Sequence, residues 1–124
     1  MLQRSLNCPR SSGMGRLFDG VCALAGIREN CSYEGQGAVL LEAAAAEGES
    51  GEYELAFYED GELAVFDWRP MVRQIASGGE AAEKVAAKFM NTLVRMAAET
   101  CRRAAEKTGL RRIVLSGGVF QNMY

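Results

Sequence analysis

Leu115-Ser116-Gly117-Gly118-Val119-Phe120-Gln121-Asn122 combines the residue types that could most directly handle an anion or a nucleoside. Ile113-Val114-Leu115 is a short β-branched run of the kind that makes a buried strand, and the two glycines after it permit positive φ and close backbone approach. Such a turn can aim its N–H groups at a phosphate, or it can serve only to reverse the chain. Asn122 offers a donor and an acceptor that could fix a hydroxyl or a phosphate, and it could equally cap a helix that follows. Gln121 has the same chemistry but could face solvent, and Phe120 is expected in the core.

A second constellation lies near the other end. Gly15 and Asp19 are four residues apart and would share a helix face, so the missing side chain at Gly15 leaves room for a flat ligand beside the Asp19 carboxylate. A carboxylate accepting from vicinal hydroxyls would bind ribose. The competing reading is a surface pair between Arg16 and Asp19 with a glycine near a helix start. In Tyr33-Glu34-Gly35-Gln36, Glu34 is favoured by the helix dipole whatever its function. The acidic run Glu47-Gly48-Glu49-Ser50-Gly51-Glu52-Tyr53-Glu54 reads as a solvated loop, and spacing does not bring Arg69, Arg73 and Arg95 together.

Several chemistries are excluded or disfavoured. The 124 residues include no histidine, which removes His-based triads and makes a self-contained zinc or iron site improbable. Cys8, Cys22, Cys31 and Cys101 show no C-x-x-C spacing and are expected to be structural thiols. A net charge of -2, from 14 basic and 16 acidic residues, gives no nucleic-acid footprint or anionic-membrane anchor. No apolar run approaches a bilayer span and the N-terminus has no signal-peptide core, so a soluble cytoplasmic protein is expected.

The elements that must position these residues can be read from pattern. At 48% hydrophobic the chain is expected to form one domain over residues 1–124. Ser11 and Ser12 could cap a helix from about Met14 whose apolar face is Leu17, Val21 and Leu24, stopped by Gly26. Ser32 could cap a second helix, from about Glu34 to Glu47, with Val39, Leu40 and Ala43 inward. Tyr53–Tyr58 and Leu63–Trp68 flank an Asp60-Gly61 turn and predict a hairpin. Pro70 begins a short turn or helix. Ser77 and Glu80 have capping-box spacing before a long helix over about 80–108, with Ala82, Val85, Phe89, Leu93, Met96 and Thr100 on one stripe and Gly109 beyond its end. The strand Arg112–Ser116 and its glycine turn complete a mixed α/β (α+β) chain of helices packed with a hairpin and a C-terminal strand.

Taken together, Ser11-Ser12-Gly13-Met14-Gly15-Arg16-Leu17-Phe18-Asp19-Gly20-Val21, Ser32-Tyr33-Glu34-Gly35-Gln36 and Leu115–Asn122 resemble, in order, the C-terminal part of the HypF family, over about residues 7–124. That family comprises carbamoyltransferases of [NiFe]-hydrogenase maturation. The resemblance implies a partial lobe of the actin, sugar-kinase and heat-shock ATPase superfamily, in which two lobes clasp a nucleotide. It also implies use of carbamoyl phosphate and ATP, through carbamoyl-adenylate, to carbamoylate the C-terminal cysteine of HypE on the way to the cyanide ligand. By similarity to threonylcarbamoyl-transfer enzymes, Gly15 and Asp19 match the residues that hold the nucleoside, and Gly117, Gly118 and Asn122 match the glycine-turn and asparagine contacts. No catalytic residue is assigned by the resemblance.

The departures shape the remaining expectations. The family's divalent metal is held by a histidine pair upstream and an aspartate downstream, so its ligands would lie outside this chain. Met90 stands in Phe89-Met90-Asn91-Thr92, where the family often reads Phe-His-Asn-Thr. The chain is therefore expected to be a fragment, inactive alone and prone to self-association through apolar surface that the rest of the lobe would cover. The alternatives are threonylcarbamoyl transfer, O-carbamoylation of a small metabolite, or a non-catalytic interaction module; the Phe120-Gln121 pair and the Tyr33–Gln36 segment favour HypF.

Overall fold

Helix α1 (Met14–Leu24) forms where apolar residues recur at helical spacing, and it buries Phe18, Val21 and Cys22. Leu24, expected inward, is 48% exposed, because the buried stripe is centred one residue along from the expected one. The computed structural model describes residues 11–124; the expectation for Cys8 lies outside them. Ser11 and Ser12 do not cap α1. Gly13 occupies the cap position without a side-chain bond, and its N–H donates to Ser11 Oγ at 3.1 Å.

Helix α2 (Gln36–Ala44) is shorter than expected at both ends. It starts after Gly35, whose φ of 83° is not helical, so Ser32 cannot be its cap. Instead the Ser32 N–H donates to Gln36 Oε1 at 2.6 Å. At the other end the chain turns away after Ala45, and the Ala46 N–H donates to Glu83 O at 3.0 Å. The buried positions are Gly37 and Leu41, whereas Val39 and Ala43 are exposed. The sequence of α2 is apolar almost all round, so periodicity could not choose its inner face.

Strands β1 (Ala56–Asp60) and β2 (Leu63–Asp67) pair antiparallel with Phe57 opposite Phe66 and Asp60 opposite Leu63. The two-residue loop is thus Gly61-Glu62, with Gly61 at φ 61° in the first central position, as a primed hairpin turn requires. Helix α3 (Arg69–Ala76) carries Pro70 in its first turn, where a missing N–H costs nothing.

Helix α4 (Ala82–Thr108) supplies the longest wall of the core, burying Val85, Ala86, Ala87, Phe89, Met90, Thr92 and Leu93 before ending at Gly109. Thr100, expected on the inner stripe, is exposed. No capping box opens α4. Ser77 ends α3 with its hydroxyl donating to Gln74 O, and Glu80 accepts instead from Tyr53 and Lys88. Phe89 meets Phe18 edge to face with ring centroids 5.0 Å apart, locking α1 to α4 at the centre of a single apolar cluster.

One further expectation is refined and one overturned. The acidic run 47–54 is a loop with Glu47, Glu52 and Glu54 exposed, as expected, but it is a strap tied down along α4. Asn91 Nδ2 donates to Glu49 O and Gly51 O at 2.9 and 3.0 Å, the Tyr53 N–H donates to Thr92 Oγ1 at 2.9 Å, and Arg95 pairs with Glu52 at 2.7 Å. Residues 112–116 form no strand: Ile113, Val114 and Leu115 are 52%, 90% and 57% exposed. A strand needs a neighbouring strand for its N–H and C=O groups, and β1 and β2 pair only with each other. The architecture is mixed α/β, with four helices and one two-stranded antiparallel sheet among the described residues.

Candidate functional site

Helix α1 presents Gly15 and Asp19 on one face, as their spacing requires. A Cβ built on Gly15 would meet nothing within 4 Å, so the face is open beside Asp19. The carboxylate itself is already engaged. Arg16 Nη2 lies 2.9 Å from Oδ2 and the Cys31 thiol lies 3.7 Å from Oδ1. Behind it stands Gly37 of α2, so close that a Cβ there would be 2.7 Å from Oδ1 and 3.1 Å from the Asp19 Cα. The surface pair with Arg16 therefore exists, and it coexists with an open face.

The C-terminal motif is ordered as a tight turn. Gly117 has a φ of 100°, a conformation that L side chains rarely adopt, and Gly118–Gln121 form one 3-10 turn. Positions Gly117 and Gly118 are open, with nothing within 4 Å of a built Cβ. Val119 packs against the core, while Phe120, expected there, is 48% exposed; the 3-10 turn fixes which of the two neighbours points inward. Asn122 ends this turn. Its Nδ2 faces Met90 Sδ at 3.8 Å and its Oδ1 accepts from the Tyr124 N–H at 3.0 Å.

Both halves lean on α2. Asp19 abuts Gly37, and the Met123 N–H donates to Glu42 Oε1 at 2.8 Å, five positions further along, or about 7.5 Å of helix rise. The structure brings the two motifs to one helix. Two surface depressions lie elsewhere, one against Glu49, Asn91 and Arg95, the other against Phe57, Glu99 and Arg103.

Other candidates fall outside this region or serve the fold. Tyr33 and Glu34 are exposed ahead of α2, and Arg69 is held by Asp67 at 2.7 Å while Arg95 is held by Glu52. Cys22 is a buried thiol whose pKa is pushed up by burial and, secondarily, by the neighbouring Cys31. Cys31 is not a buried structural thiol, because the turn before α2 leaves it exposed beside Asp19. Among the described residues no three His, Cys, Asp or Glu side chains converge as metal ligands, so a divalent metal does not fit the donors present. Sequence reasoning missed Glu42, Asn91 and Thr92. An acid in the last turn of α2, against the dipole and with no basic neighbour there, was the available signal for Glu42.

Comparison with known proteins adds an independent line. Residues 1–124 match the family described as carbamoyltransferase, Kae1-like domain, second subdomain. The chain is 35% identical over 118 residues to carbamoyltransferase HypF of Synechocystis sp., covering 94% of this chain and 15% of that protein. It is 36% identical over 125 residues to carbamoyltransferase HypF of Rhizobium leguminosarum, covering 98% of this chain and 16% of the relative. A crystal structure of full-length HypF in its phosphate- and nucleotide-bound form superposes with a TM-score of 0.89 at 37% identity, over 97% of this chain and 16% of that one.

Proposed function

Because the chain belongs to the carbamoyltransferase HypF family, we propose that it contributes one wall of a nucleotide site used in carbamoyl transfer. The Asp19 carboxylate accepts hydrogen bonds from the ribose hydroxyls, and the open face at Gly15 admits the nucleoside. The Gly117-Gly118 turn brings backbone N–H groups toward the phosphate or adenylate, and Asn122 fixes its orientation. The substrates in this reading are ATP and carbamoyl phosphate: hydrolysis of the latter releases phosphate and carbamate, whose oxygen attacks the α-phosphorus of ATP and displaces pyrophosphate to give carbamoyl-adenylate. The acceptor is the C-terminal cysteine thiol of HypE: its sulfur attacks the carbamoyl carbon, a C–S bond forms, the C–O bond to AMP breaks, and the thiol proton is released. With no histidine here, an imidazole base for that proton would come from outside this chain.

What carries this reading is the likeness of fold and sequence to a HypF solved with phosphate and nucleotide, together with motifs that share α2 as a support. The chain spans about 15% of the length of the Synechocystis relative, so hydrogenase maturation and the acceptor are proposals about a larger protein. Calorimetry with ATP on the complete protein tests the site. Asp19→Ala and Asn122→Ala should each weaken binding about tenfold, the equivalent of roughly 1.4 kcal/mol. Unchanged affinity in both variants would refute the assignment.

A second reading has an observation of its own. Val114, 90% exposed, lies between Ile113 and Leu115 in a stretch with no strand partner, which suits association with another polypeptide, including a second copy of this chain.

A further inference from the structure

Glu42 is an acid that the physics of its own helix does not explain. It lies in the last turn of α2, where the dipole disfavours negative charge and where no basic residue is present. Its carboxylate reaches away from the helix and accepts the Met123 N–H at 2.8 Å, across 81 residues of sequence. A charge-assisted bond of this kind is stronger and more directional than a neutral one. It falls on the residue immediately after Asn122.

Asn122 is gripped from a second helix at the same time. Its Nδ2 donates to the sulfur of Met90, a residue of α4 that is only 4% exposed and therefore has little freedom to move. Its N–H donates to Val119 O at 3.4 Å and its Oδ1 accepts from the Tyr124 N–H at 3.0 Å. A carboxamide has two N–H donors and two acceptor lone pairs. One of each is used internally, which leaves one donor and one lone pair for a ligand while the plane of the amide is fixed.

We propose that Glu42, together with Met90, positions Asn122, so that α2 and α4 clamp the end of the glycine motif from two sides. The inference rests on the nucleotide reading and deepens it, since it names what orients a proposed ligand contact. Neither residue touches the nucleotide. Glu42 sets the backbone at residue 123 and Met90 sets the rotation of the Asn122 side chain.

The test is heteronuclear NMR with selective labelling of the complete protein, which reads the clamp without ligand, followed by ATP binding. Without ligand, Glu42→Ala should shift the Met123 amide and the Asn122 side-chain NH2 resonances and speed exchange of the Met123 amide. Glu42→Gln, which keeps an acceptor, should restore much of both, and Met90→Leu should move the Asn122 NH2 alone. If Glu42→Ala leaves these signals unmoved, no clamp exists. In calorimetry with ATP on the complete protein, Glu42→Ala should weaken binding about five- to tenfold and Glu42→Gln less than half as much on a logarithmic scale. ATP affinity lost in Asn122→Ala but kept at full strength in Glu42→Ala would refute the clamp alone. ATP affinity of the complete protein unchanged in both Asp19→Ala and Asn122→Ala would refute the nucleotide reading and, with it, the purpose assigned to Glu42.

Discussion

Thr92→Val changes one hydroxyl for a methyl at a fully buried position, and the structure fixes what that costs. The Thr92 Oγ1 accepts the Tyr53 N–H at 2.9 Å and donates to Lys88 O at 2.7 Å. The Lys88 carbonyl is inside α4 and keeps the ordinary helical bond, so losing the hydroxyl leaves it paired. The Tyr53 N–H is buried, and its bond to Thr92 crosses from the strap to the helix. Leaving such a donor unsatisfied costs about 1–3 kcal/mol, against about 0.8 kcal/mol regained from the added methyl. A net loss of about 1 kcal/mol corresponds to roughly 4 °C in Tm for a domain of this size. Thr92→Ser separates hydrogen bonding from packing, because it keeps the oxygen and loses one methyl, about 0.8 kcal/mol. Both variants should therefore lower the urea midpoint by a similar amount, with Tyr53 amide exchange accelerated beyond that global loss only in the valine variant. Tyr53 amide exchange no faster in the valine variant than in the serine variant would mean that the strap is not anchored through Thr92.

The other predictions concern charge and surface. Lys88 first, and then Tyr53, hold the Glu80 carboxyl below the ordinary glutamate value of 4.5. A depressed folded-state pKa means that this stabilisation is present above the unfolded value and is lost as pH falls through the folded one. Stability should therefore decline from about pH 5 downward, and Glu80→Gln should flatten that decline in urea midpoints measured across the same range. If the variant and wild-type curves run parallel, the carboxylate is not linked to folding. Light scattering tests the exposed C-terminal stretch: the chain should associate with rising concentration, and Val114→Lys should suppress it. A monomer throughout would remove that reading.

What was legible in the sequence is what local rules decide. The Asp60-Gly61 signal located the hairpin because the turn itself demands a residue at positive φ. Val85, Phe89 and Leu93 fell on the inner stripe of α4 because its other faces carry charge. What was not legible depends on partners distant in sequence. The strap at 47–54 looked solvated because its acids dominate composition, yet its backbone is held by Asn91 and Thr92, some 40 residues away. Ile113-Val114-Leu115 has a strand's composition, but composition supplies no second strand to pair with. Ser77 and Glu80 had the spacing of a capping box, and Tyr53 and Lys88 compete more effectively for the Glu80 carboxylate.

The candidate site was legible as residue types and not as a state. Spacing put Gly15 and Asp19 on one face, but it could not choose between a ribose contact and an ion pair with Arg16. The structure shows the ion pair, and the proposed ribose contact is compatible with it. Arg16 is 69% exposed, and an ion pair so open to water is worth no more than about 1 kcal/mol, less than the two hydrogen bonds a ribose would bring. A ligand can therefore displace Arg16 without disturbing the helix. Gly37 allows no such give, since α2 packs so close behind Asp19 that no side chain fits between them. The same division holds at the other end, where Gly117 and Gly118 are open to a ligand and Asn122 is held from within. Each half thus pairs an accessible surface with a constrained anchor. In the nucleotide reading proposed above, the ligand would complete the contacts without a rearrangement of this chain.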